Sequence, residues 1–276
     1  MSTATGTVTT ANETATNLWF NNLRPNPNAT MRLFCVPYAG GGAQAFQQWP
    51  DILPPSFDVW AANLPGRGKR LMESAFFQLS GLIPALTEAL MPLLDKPFAI
   101  FGHSMGALIA YETVRTLKKL HGPMPVHLLV SGCFAPQLPD PCHIHHLPQE
   151  EFVRELRRLN GMPKEILENQ ELMELVLPSL RADFTATETY VYNDEPPLSC
   201  SISVLGGWRD PLTTRESLEA WRIHTTGYFS MRMLPGDHFF IHSMQRLLLD
   251  LIVSELQQAT CQRQEVICQE TFRGIP

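Results

Sequence analysis

The chain has 276 residues, 44% of them hydrophobic and 17% charged, with a net charge of −6 at neutral pH. Length and composition fit one soluble α/β domain with an insertion and a sizeable core. The acidic balance argues against a nucleic-acid partner, and no apolar run approaches the roughly 20 residues that span a bilayer.

Met1 to about Ala29 is a polar lead rich in Thr, Ala and Asn, without the charged start and apolar core of a signal peptide. It is expected to be disordered except around Trp19-Phe20, leaving residues 30–256 as the folded domain. From Met31 short apolar strands alternate with helices, which predicts a mostly parallel sheet flanked by helices on both faces. Candidate strands are Arg32–Val36, Val59–Asn63, Phe98–Phe101, Val126–Ser131, Ser201–Leu205 and Ser230–Leu234. A helix is expected over Ala107–Leu120, stopped by Gly122-Pro123, and a last one over about Phe240–Leu256. Gln257 to Pro276 shows little periodicity and reads as a loose tail.

Between about residues 137 and 197 the strand rhythm stops and two helical stretches follow. Pro148 starts the first in a favourable first-turn position and Asn160-Gly161 ends it. Asn169 caps the second, which Pro178 should bend or end. A helical insertion placed after the Val126–Ser131 strand is a lid. Its apolar residues Phe152, Leu156, Leu159, Ile166, Leu167, Leu172, Leu175 and Phe184 read mostly as core, with a minority lining a pocket.

The chemistry centres on Gly102-His103-Ser104-Met105-Gly106, a Gly-x-Ser-x-Gly that follows an apolar strand and opens a helix. In that setting Ser104 sits on a strained strand-to-helix turn with its hydroxyl raised above the sheet. The Met105 N–H, at the start of the helix, is then placed for an oxyanion. In α/β-hydrolases the acid and then the base follow the nucleophile along the chain. Asp210, in the loop after Ser201–Leu205, and His238, in the loop after Ser230–Leu234, take those places at the sheet edge that carries Ser104. Of the nine histidines, His103 projects away from the turn and His242 lies inside the last helix. Asp183 and Asp237 are the competing acids.

The first strand ends in Pro37-Tyr38-Ala39-Gly40-Gly41-Gly42, with no Gly-Lys-Ser/Thr to make a P-loop. It reads as a turn that brings a second oxyanion donor, the Ala39 N–H, over Ser104. Asp140-Pro141-Cys142-His143-Ile144-His145-His146 lacks a second ligand pair at metal-site spacing and reads as a surface loop, so no metal is expected. The six cysteines, Cys35, Cys133, Cys142, Cys200, Cys261 and Cys268, show no paired spacing. They read as free thiols in a reducing compartment, the cytoplasm.

These residues resemble the type II, stand-alone editing thioesterases of nonribosomal peptide and polyketide synthases. The resemblance runs from about Arg32 to Leu256 and adds two selective segments to the shared elbow, Leu64-Pro65-Gly66-Arg67-Gly68 and Leu177-Pro178-Ser179-Leu180-Arg181-Ala182-Asp183. It implies an α/β-hydrolase fold with a helical lid. It also implies hydrolysis of acyl groups from the phosphopantetheine of carrier proteins, with Ser104 as nucleophile, His238 as base and Asp210 as its partner. No cofactor is implied, because the phosphopantetheine arrives on the substrate. The chain is expected to act as a monomer. Arg67, Lys69 and Arg70 form a basic cluster that could hold the carrier or the pantetheine phosphate, or could be solvated surface charge. A carboxylesterase or an acyltransferase using the same triad, and a partner-binding protein without chemistry, are the alternatives.

Overall fold

Seven strands form one sheet in the order β1-β3-β2-β4-β5-β6-β7, with six parallel strands and an antiparallel edge. They are β1 (Phe20–Asn22), β2 (Met31–Val36), β3 (Phe57–Ala62), β4 (Phe98–His103), β5 (His127–Ser131), β6 (Ser201–Gly207) and β7 (Phe229–Leu234). The structure, a computed structural model, describes residues 18–141, 143–159 and 168–273, with side chains as far as Ala259. Cys142, Asn160-Gly161, Ile166 and Leu167, singled out above, lie outside the described residues.

Strand geometry sends alternate side chains to opposite faces, and the core follows that period. On one face Phe34, Val36, Ile100, Leu128 and Val204 pack against α1 (Leu79–Leu90) and α2 (Met105–Lys119). On the other, Leu33, Cys35, Phe101, Leu129 and Leu205 pack against Phe46, Trp49 and the C-terminal helix. Both faces of β4 are therefore dry, and its C-terminal end emerges where the two helical layers leave room for a site. The six expected strands are present to within about two residues.

Four expectations change. The edge strand β1 lies inside the supposed disordered lead: Phe20 pairs with Ala62 and is buried, and the Arg70 guanidinium sits 4.0 Å over the Trp19 ring. The domain thus begins before residue 30. At the other end, a short turn of helix, Phe240–Ser243, precedes α5 (Gln245–Arg273), which runs far past Leu256. Leu248, Leu249, Ile252 and Leu256 anchor its first half in the core. Once nucleated there, a Gln- and Glu-rich stretch propagates as helix without an apolar stripe of its own.

In the lid, α3 (Gln149–Arg158) begins after Pro148, and α4 (Gln170–Glu188) begins at Asn169, whose side chain accepts the Leu172 N–H at 3.1 Å. Pro178 does not end α4, which continues for ten residues to Glu188. The Ser179 hydroxyl donates to the Val176 carbonyl at 2.9 Å, an added hydrogen bond in the turn that holds Pro178. Phe152, Leu156 and Leu159 meet Leu180 in a small core of their own, whereas Leu172 and Leu175 are exposed.

Candidate active site

β4 delivers its last residues into a turn that only small neighbours permit. Ser104 holds φ 55° and ψ −123°, a region closed to most residues with a side chain. A Cβ on Gly102 would lie 2.1 Å from the Gly106 carbonyl oxygen, and one on Gly106 would lie 2.2 Å from that of Val36. The Ser104 N–H donates to the Ser131 carbonyl at 2.7 Å, tying the strained residue to β5. Met105 opens α2 directly afterwards, so its N–H is one of the donors a helix start leaves unpaired.

The candidate acid and base, Asp210 and His238, come from adjacent loops. A Cβ on Gly207 would meet the Asp237 carbonyl oxygen at 2.5 Å, so glycine lets the β6 and β7 loops close on each other. Asp210 Oδ2 accepts from His238 Nδ1 at 2.8 Å and from the Thr213 hydroxyl at 2.9 Å, while Oδ1 accepts the Leu212 N–H at 2.8 Å. Three donors on a buried carboxylate fix its plane and hold His238 in the tautomer that leaves Nε2 as its remaining ring nitrogen. Asp237 instead accepts the Phe239 N–H at 2.9 Å within its own turn.

His103 lies below the turn. Its Nδ1 meets the Ser131 hydroxyl at 2.9 Å, its ring centroid is 5.1 Å from that of His238, and burial pushes its pKa well below the ordinary value. It therefore stays neutral and adds no positive charge beside His238. Gly132 makes room for this ring, since a Cβ there would stand 2.7 Å from His103 Cε1. His242 is exposed and bonds the Tyr38 hydroxyl at 2.9 Å.

Ser104, His238, Ala39 and Met105 all border one cavity of about 1050 Å³, its open mouth included. The lid supplies its apolar side through Leu156, Leu159, Leu180 and Phe184. The loop after β5 adds Gly132, Cys133 and Phe134, which form no motif in the sequence although their loop leaves the same sheet edge. Burial raises the Cys133 thiol, so it is an unreactive wall. Gly40, at φ +72°, carries the turn beside Ala39, and a Cβ there would collide with Leu180 Cδ2 at 2.5 Å.

The basic cluster after β3 is not a docking patch. Arg67 is 7% exposed and makes a two-pronged ion pair with Asp183, at 2.6 and 2.7 Å. Arg70 is 5% exposed and binds Glu73 and the Asn63 carbonyl. Only Lys69 of the three is exposed. Arginine in a glycine loop reads as surface charge until its partner, 116 residues away, is known. The same pair removes Asp183 as a rival acid.

Asp140 borders the cavity, and His145 bonds Glu188 at 2.6 Å in a contact that closes the lid entry. Among the described residues no cluster of three His, Cys, Asp or Glu side chains could hold a metal. Cys35, Cys133 and Cys200 are free and buried.

A nucleophile elbow on a mostly parallel sheet, with an Asp-bound His from the last loop beside it, defines a serine hydrolase of the α/β-hydrolase fold. More narrowly, the chain belongs to the thioesterase family: the thioesterase domain model matches residues 31–258. It is 48% identical to linear gramicidin dehydrogenase LgrE of Brevibacillus parabrevis, over 87% of this chain and 92% of that one. It is 43% identical to the gramicidin S biosynthesis protein GrsT of Aneurinibacillus migulanus, over 87% of this chain and 94% of that one. Among solved structures, the type II thioesterase BorB from the borrelidin biosynthetic cluster matches with a TM-score of 0.79 and 36% identity. That match covers 87% of this chain and 98% of BorB.

BorB is a type II thioesterase of a biosynthetic cluster, and this chain is an enzyme of thioester hydrolysis. The word dehydrogenase in one relative's name describes that protein. Here the glycine turn leads into a four-residue 3-10 turn, Ala43–Phe46, not the long helix whose start would hold a pyrophosphate.

Proposed function

We propose that the enzyme clears acyl or aminoacyl groups from the phosphopantetheine of carrier proteins, through an acyl-Ser104 intermediate. The observation that carries this reading is the strained Ser104 and the Asp210-bound His238 on one cavity whose far side is apolar. The apolar side suits an acyl chain, and the open mouth suits an arm that reaches in from a carrier outside.

His238 Nε2 takes the Ser104 proton as Oγ attacks the thioester carbonyl carbon. The Met105 and Ala39 N–H groups stabilise the resulting oxyanion. Collapse breaks the C–S bond, and the departing pantetheine sulfur receives the proton from His238. A water, deprotonated by His238, then attacks the acyl ester. The second collapse releases the carboxylic acid and returns the proton to Ser104 Oγ. Asp210 stabilises the imidazolium in both halves of the cycle. No step calls for a metal or a cofactor of the enzyme's own.

Every group invoked comes from one chain, which suits action as a monomer. Buried, unpaired Cys35, Cys133 and Cys200 suit a reducing cytoplasm, and no helix among the described residues is long and apolar enough to cross a membrane. The test compares kcat/KM for an acyl-carrier thioester with that for the matched acyl oxygen ester. A preference of at least tenfold for the carrier thioester is expected. Equal values, or a preference for the ester, would favour a carboxylesterase, and transfer of the acyl group to an added amine would favour an acyltransferase.

A further inference from the structure

The buried pair Arg67–Asp183 joins two segments far apart in sequence, the loop after β3 and the lid helix α4, at the turn that carries Ala39. Asp183 Oδ2 accepts the Gly40 N–H at 2.7 Å, as well as an Arg67 N–H at 2.6 Å. Arg67 in turn donates to the Gly41 carbonyl at 3.3 Å. The turn is thus held at an N–H by the Asp183 carboxylate and at a C=O by the Arg67 guanidinium. Gly41 then donates its own N–H to the Tyr38 carbonyl at 2.8 Å. That carbonyl and the Ala39 N–H are opposite ends of one peptide unit, and a peptide unit is planar. Fixing the Tyr38 oxygen therefore fixes the direction of the Ala39 N–H.

Gly40 and Gly41 lack the Cβ that would otherwise restrict this turn, so its orientation has to come from outside contacts. Met105, which carries the other oxyanion donor, borders a small cavity together with Arg67 and Asp183. Leu180, one turn before Asp183 on the same helix, fills the space over Gly40.

We propose that Asp183, clamped by Arg67, is a positioning residue that aims the Ala39 N–H at the oxyanion, so that lid helix α4 completes the oxyanion hole. The proposal rests on the reading of Ala39 as an oxyanion donor given above. A planar guanidinium against a carboxylate suits this task, because two parallel hydrogen bonds fix both orientation and distance. The consequence concerns the lid. The part of α4 around Asp183 belongs to the catalytic frame and stays seated during turnover, so any movement of the lid has to leave it in place.

The test uses the intact enzyme, the octanoyl thioester of N-acetylcysteamine, and two ketones. Heptyl trifluoromethyl ketone adds Ser104 and forms an oxyanion, whereas heptyl methyl ketone binds only as a ground-state mimic. Asp183→Asn should lower kcat by about 10–100-fold, with KM changed less than about threefold, because a misaimed donor is felt in the transition state. Affinity for the trifluoromethyl ketone should fall by a similar factor and that for the methyl ketone should hold.

The double variant Arg67→Met/Asp183→Leu separates aim from stability, since a buried ion pair can often be replaced by apolar residues without loss of stability. It should melt near the wild type yet remain as impaired as Asp183→Asn. Recovery of kcat in the double variant, or equal weakening of both ketones, would overturn the proposal. If the double variant fails to fold, the two ketones on Asp183→Asn decide alone. A wild type that binds the trifluoromethyl ketone covalently but turns over no acyl thioester would contradict the function reading instead, and the ketone comparison would still judge the pair.

Discussion

The floor of the site and its lid are built on different principles. On the floor, each functional group sits at the end of its own strand, and short-range geometry holds it. Gly102 and Gly106 shape the turn of Ser104, and the Thr213 hydroxyl and Leu212 N–H orient Asp210 within three residues. The lid carries no reacting group. It acts through contacts that span more than a hundred residues, with Asp183 on Gly40 and Arg67 and with Leu180 over Gly40. Chemistry is local to the sheet edge, while its alignment and the shape of the acyl pocket are imported from the insertion. Relatives with the same floor can therefore differ in substrate through the lid alone.

Three further substitutions or conditions test this contrast. The largest effect should come from the floor. Asp210→Asn keeps the shape but favours the wrong imidazole tautomer, and should cut kcat by about 10²–10⁴-fold, with little change in Tm. A drop in Tm of many degrees with a modest loss of kcat would make Asp210 a structural residue.

A smaller effect is expected at the end of the lid insertion. Tyr190 borders both the Ser104 cavity and a neighbouring groove, and its hydroxyl donates to Glu112 at 2.6 Å. Tyr190→Ala should join the two spaces and shift the ratio of kcat/KM for long over short acyl thioesters upward by about tenfold. An unchanged chain-length profile would remove Tyr190 as the wall of the pocket.

The smallest effect is on stability and comes from buried histidines, two of them away from the site. Burial lowers His127 and His224 to about 4, and lowers His103 well below its ordinary 6.5. The unfolded chain takes up protons near 6.5 that the folded chain refuses. Stability should thus be full above that pH and fall as pH drops from about 6.5 towards 4. His127 shares a buried network with Ser203, Ser230 and Glu255. His127→Gln should therefore flatten part of the slope in Tm against pH, and an unchanged slope would exclude His127 as a contributor.

Much of the floor was legible because its signals are local. An apolar run broken by Gly-x-Ser-x-Gly announces both strand and elbow, and Asp210 and His238 each follow a strand within a few residues. The edge strand β1 was not, since three residues are too few to show an alternation and only Trp19-Phe20 marked the place. Of the two outcomes open at Pro178, an end to the helix is excluded, because α4 is held by packing on both sides of the proline, which outweighs the missing hydrogen bond. Arg67 and Arg70 misled. Charge in a loop reads as surface, and only the fold brings Asp183 to one arginine and Trp19 to the other. The segments around Arg67 and Asp183 are selective as sequence, yet their contact cannot be read from either alone.

The central claim, that Ser104 removes acyl groups from carrier proteins, is met most directly by intact-protein mass spectrometry of an acyl-loaded carrier incubated with the wild type and with Ser104→Ala. The wild type should convert acyl-carrier to free-thiol carrier, with a transient mass increase on the enzyme equal to one acyl group. Ser104→Ala should slow that conversion by about 10⁴-fold or more and show no acyl adduct. Clearance of the carrier at the same rate by Ser104→Ala would contradict it.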